Sequence, residues 1–168
     1  MKNFFGKAIA SFVLVVAMAV NCVVPAFAAE NVSYVEPANS RAVVQLDAGR
    51  EQVIYPSLTF TNQYRTNTYN VPGQWINLKF DFRTADGDQG LGGIWLNVYV
   101  YNAADNSCIY SVRDYVPNKG QTAGTEFTFD LGSNVRSVYF VFDASSYGSS
   151  NGHYRSATMT NVRTLVFG

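Results

Sequence analysis

From Ile94 to Tyr101 the apolar residues Ile94, Leu96, Val98 and Val100 alternate with Trp95, Asn97, Tyr99 and Tyr101. A repeat of two residues places one set on each face of a strand, so this stretch buries one side and shows the other. The polar run Asn102-Ala103-Ala104-Asp105-Asn106 predicts a turn into a second strand, with Cys108, Tyr110 and Val112 on the same inner face. The hairpin has a greasy inside and an aromatic outside.

The same period recurs along the chain. Arg41 to Asp47 and Gln52 to Phe60 read as strands, and Pro56 marks the second as an edge or a bulge because proline cannot donate to a ladder. Trp75 to Arg83 sends Ile76, Leu78, Phe80 and Phe82 inward. Phe127 to Leu131, Val138 to Asp143 and a long or bulged segment from His153 to Phe167 complete the set. The polar, Tyr-rich segment from Thr61 to Gln74 reads as a loop. No segment has a helical period. About eight strands with Gly, Asn and Pro turns predict an all-β, antiparallel β-sandwich of jelly-roll type, with an immunoglobulin-like sandwich as the alternative.

The chain has 168 residues. Lys2 and Lys7, the apolar run Ala8 to Val20 and the small-x-small ending Ala26-Phe27-Ala28 predict a cleaved signal peptide over residues 1–28, cut before Ala29. The apolar run is shorter than the roughly 20 residues a membrane span needs. Residues 29–40 then form an arm or linker, and residues 41–168 a single domain. Two of the twelve basic residues leave with the signal and none of the twelve acidic ones, so the remainder carries −2. With no basic stripe, nucleic acid is not expected as a partner, nor is stable membrane insertion after cleavage. Cys108 remains as a lone thiol pointing inward, and a disulfide-free exported protein suits a bacterium.

A simple hairpin through Thr84–Gly92 would pair Asp81 with Trp95, Lys79 with Asn97, Asn77 with Tyr99 and Trp75 with Tyr101. In the next hairpin Val100 would meet Cys108, Val98 would meet Tyr110, and Trp95 would lie beside Arg113. One outer face would then gather Trp75, Asn77, Asp81, Trp95, Asn97, Tyr99, Tyr101 and Arg113 as a ligand platform. Sugars stack on indole and phenol rings while amide, carboxylate and guanidinium groups bond their hydroxyls. Cross-strand ring pairs that merely stabilise the sheet explain the same residues.

Asp86-Gly87-Asp88 resembles the start of a calcium loop, but the position for the bidentate glutamate falls on Asn97. Asp86 and Asp88 are candidates for a structural Ca²⁺, although Asp-Gly is also a favoured turn, and no other cofactor is expected. With one histidine, His153, and one inward cysteine, nucleophilic and multi-histidine metal chemistry lack their parts. No carboxylate pair stands out for glycoside hydrolysis. The strand pattern resembles, in architecture alone, the secreted jelly-roll carbohydrate-binding modules. The expectation is a secreted, non-catalytic binding module for glycan or another cell-surface ligand. The alternatives are a structural or interaction protein of the envelope or matrix, and a secreted toxin or bacteriocin-like protein.

Overall fold

The computed structural model describes residues 42–86, 93–116, 118–144 and 155–168. The expected signal peptide, the arm, Asp88 and His153 lie outside them. Ten strands run through the described residues: β1 (Val43–Gln45), β2 (Glu51–Thr61), β3 (Gln63–Arg65), β4 (Thr68–Asn70), β5 (Trp75–Thr84), β6 (Ile94–Asn102), β7 (Cys108–Val116), β8 (Thr122–Asp130), β9 (Ser137–Asp143) and β10 (Ser156–Phe167). The long strands fall on the alternating stretches, except that β8 begins at Thr122, five residues ahead of the expected Phe127–Leu131. The Tyr-rich segment, expected as a loop, contributes β3 and β4, each only three residues long and too short to display a period.

The pairings are nested. β6 pairs with β7, β5 with β8, β3 and β4 with β9, and β2 with β10, all antiparallel. Such nesting is one long hairpin rolled up, the jelly roll. Rolling divides the strands between a sheet ordered β2-β10-β5-β8 and a sheet ordered β1-β4-β9-β6-β7, with β3 also on β9. β1 joins β4 in parallel. Between the sheets lie Ile76, Leu78, Phe80 and Phe82 of β5 and Ile94, Leu96, Val98 and Val100 of β6. Phe80 meets Phe142 of the opposite sheet edge to face, ring centroids 6.0 Å apart. Burying each such side chain contributes about 1.5–3 kcal/mol.

Two asparagines shape the corners. Asn62 (φ 61°) is the single residue between β2 in one sheet and β3 in the other. Its N–H donates to the Arg155 carbonyl at 2.8 Å and its carbonyl accepts from Ala144 at 2.7 Å. Asn161 (φ 53°) sits in a bulge of β10, where the register against both β2 and β5 slips. Pro56 faces that bulge on β2, the edge strand of its sheet, where no ladder bond is asked of it.

Three expectations are corrected. β5 and β6 do not form a hairpin: the chain crosses between sheets from Thr84 to Ile94, because a rolled hairpin sends these neighbours to opposite layers. The β6–β7 hairpin does form, with a register displaced by two residues, so that Val100 faces Tyr110 and Val98 faces Val112. A bulge between Val100 and Tyr101 then sets Cys108 opposite Tyr101, on the outer face rather than in the core.

Candidate functional site

The outer face of the β1-β4-β9-β6-β7 sheet follows from register. Residues paired across strands share a face, so the pairings read out as rows roughly 7 Å apart on strands about 4.8 Å apart. The first row is Tyr115–Trp95. The second is Arg113–Asn97–Asp143–Gln63, drawn from four strands. The third is Ser111–Tyr99–Val141–Arg65, and the fourth Cys108–Tyr101–Tyr139. Rings therefore fill both ends of the patch, and a polar row crosses it.

The rings are locked to one another. Trp95 and Tyr115 stack with centroids 4.6 Å apart, and the Arg113 guanidinium lies 4.8 Å above the indole. Tyr101 stacks on Tyr139 at 5.0 Å with planes 4° apart, and the Arg65 guanidinium lies 4.0 Å from the Tyr139 centroid. Tyr99 stands 6.5 Å from Tyr101. Tyr139 OH donates to Asn106 Oδ1 at 3.2 Å, which fixes the far ring to the β6–β7 turn. Gln63 Nε2 donates to Asp143 Oδ2 at 3.1 Å, and Asn97 Nδ2 makes a long contact of 3.5 Å to the Asp143 carbonyl. Tyr115 is the most exposed ring at 39%, whereas Tyr139 is buried beneath its neighbours at 6%.

Of the expected platform, Trp95, Asn97, Tyr99, Tyr101 and Arg113 come together here. Trp75, Asn77 and Asp81 do not, because β5 belongs to the other sheet. On that opposite face Trp75 stacks on Phe167, centroids 6.4 Å apart, and Asn77 Nδ2 donates to Glu126 Oε1 and Thr128 Oγ1, both at 3.0 Å. Asp81 Oδ2 accepts from Asn161 Nδ2 at 3.4 Å. These side chains belong to a lattice of cross-strand bonds that also pairs Thr59 with Thr158 at 3.0 Å and Thr61 with Ser156 at 2.8 Å.

Arg65, Gln63, Tyr115, Tyr139 and Asp143 were not anticipated in the platform. Tyr139 and Asp143 occupy the polar phase of their alternating strand, and Tyr115 shares the phase of Arg113, so each carried a signal for facing outward. Arg65, in a three-residue strand, carried none. Asp86 has its carboxylate held by Arg83 through bonds of 2.6 and 3.3 Å, and that guanidinium lowers the Asp86 pKa. A cation at Asp86 would have to displace this partner. Among the described residues no three His, Cys, Asp or Glu side chains gather as a metal site.

No protein-family model matches the chain, and no curated protein does. Solved structures with similarity include a carbohydrate-binding module described as "CBM4 structure and function", with TM-score 0.45 and 11% identity over 61% of this chain and 59% of that one. Another is tripeptidyl peptidase 2, with TM-score 0.39 and 15% identity over 71% of this chain. The matched region spans 10% of that peptidase chain, and under two thirds of either structure is covered.

Proposed function

We propose that this chain is a secreted, non-catalytic module that binds glycan on the outer face of the β1-β4-β9-β6-β7 sheet. The observation that carries the reading is the set of rows just described: Trp95, Tyr99 and Tyr101 along one strand, with Asn97 between them and Arg113 beside them. The apolar faces of a pyranose lie on such rings, while amide and guanidinium groups reach its hydroxyls. Ring pairs already stacked on each other are pre-organised, so little rotamer freedom is lost when a sugar arrives. Export is supported by the basic, apolar and small-x-small order of the first 28 residues.

A glycan array tests this, followed by titration of the best ligand into single variants. Trp95→Ala and Tyr99→Ala are expected to weaken binding by about tenfold or more, as truncated aromatic anchors do. Trp75→Ala, on the opposite face, is expected to leave it unchanged. Absence of any bound glycan, or an equal loss in Trp75→Ala, sinks the reading. Concentration-dependent self-association that Trp95→Ala breaks, without sugar binding, would instead make the same face a protein contact.

A further inference from the structure

The two outer faces treat their cations differently. On the β2-β10-β5-β8 sheet, Lys79 pairs with Glu126 at 3.4 Å, Arg83 with Asp86 at 2.6 Å and Arg163 with Glu51 at 3.4 Å. On the aromatic face, Arg65 and Arg113 have rings beneath them and, among the described residues, neither is in an ion pair. Asp143 is the carboxylate in those rows; it is 6% exposed and takes a bond from Gln63. The accessible charge of the patch is therefore positive.

A guanidinium lying over a ring spends its π face and keeps its in-plane N–H edge for an acceptor. Arg65 Nε is buried and has no acceptor among the described residues. Arg113 and Arg65 sit at opposite corners of the second and third rows. Three strand gaps and one row step separate their backbones by about 16 Å. Asn97 and Tyr99 lie between them. From this we infer that the face takes an acidic oligosaccharide a few units long, with a carboxylate or sulfate held at each guanidinium and the intervening sugar on the ring of Tyr99. This rests on the glycan-binding reading and adds the charge of the ligand to it.

The test titrates the purified protein with matched pairs: oligogalacturonate against its methyl ester, and chondroitin sulfate against desulfated, carboxyl-reduced chondroitin. The acidic member is expected to bind more tightly at 50 mM NaCl, with the difference shrinking at 500 mM as the charges are screened. Arg113→Gln and Arg65→Gln are each expected to lower the acidic preference, read as the ratio of acidic to neutral affinity in the same variant, by about two- to fivefold, the scale of an exposed ion pair. Arg113→Lys is expected to keep most of it. Thermal melts confirm that each variant folds. Equal binding of both members, or a preference untouched in both Gln variants, overturns the inference and leaves glycan binding standing. Poly-glutamate binding as tightly as the acidic sugars also overturns it, by reducing the effect to bulk charge. No binding in any pair, acidic or neutral, together with an empty glycan array, overturns both.

Discussion

Trp75 and Trp95 stand on opposite outer faces of the sandwich, the first stacked on Phe167 and the second on Tyr115. Both indoles are half-buried, so both fluoresce in partly screened surroundings. A ligand seated on the aromatic face touches only one of them. Binding is expected to change the emission of Trp95 alone: Trp75→Phe keeps the ligand-induced change and Trp95→Phe abolishes it. A fluorescence titration of the two variants checks this, and a change that survives in Trp95→Phe would move the ligand to the other sheet.

The division of the tryptophans shows what alternation can and cannot report. A period of two tells which side chains are buried, and for β5 and β6 every inward residue from Ile76 to Phe82 and from Ile94 to Val100 lies in the core. It carries no information on which sheet a strand joins. β5 and β6 have the same pattern and lie in different layers. A simple hairpin between them is incompatible with a jelly roll, so the expected fold already implied that Trp75 and Trp95 part company. Cys108 misled for a local reason. One inserted residue at a bulge reverses the phase beyond it, and Ile109 fills the inner position that Cys108 would have held. The Tyr101–Tyr139 stack joins residues 38 apart that only the β6–β9 pairing brings together.

Asn62 carries the chain between layers in one left-handed step. Asparagine tolerates that region, whereas other side chains with a Cβ pay about 1–2 kcal/mol for it. Asn62→Val is therefore expected to destabilise by about 1–2 kcal/mol or more, and Asn62→Gly by less than about 0.5 kcal/mol. Urea denaturation midpoints of the two variants check the order. Equal losses would show that the Asn62 side chain, not its backbone conformation, holds the corner.

Where the two sheets approach at β7 and β8, side chains tie them together. Tyr110 OH donates to the Asp130 carbonyl at 2.6 Å, and Thr125 Oγ1 donates to Asp114 Oδ2. Tyr110 also packs its ring 5.3 Å from Phe129. Tyr110→Phe retains the ring contact and removes only the bond, so it is expected to cost about 1 kcal/mol. Tyr110→Ala, which also empties the ring site, is expected to cost about 3 kcal/mol or more. Chemical denaturation of both variants separates the bond from the packing; a Phe variant as unstable as the Ala variant would place the whole effect in the hydroxyl.

The tyrosines where β2 meets β3 and β4 set an alkaline limit on stability. Tyr55 and Tyr64 pack edge to face at 5.7 Å, and Tyr55 OH accepts the Asn67 N–H at 3.3 Å. Burial first, and then the neighbouring Tyr55 hydroxyl, push the Tyr64 and Tyr69 phenols well above their ordinary range. In the unfolded chain these phenols ionise near the usual value of about 10, while in the fold they keep their protons. Below that pH both states bind the proton and stability is unaffected. Above it the unfolded chain binds fewer protons, so stability falls by about 1.4 kcal/mol per pH unit for each such group until the folded phenols ionise. Urea midpoints are expected to hold steady up to about pH 9.5 and to drop steeply by about pH 11. Tyr69→Phe has one fewer buried phenol to ionise and is expected to fall less steeply than the parent as the pH rises above about 10. Parallel pH profiles for Tyr69→Phe and the parent would mean that Tyr69 ionises as readily in the fold as outside it.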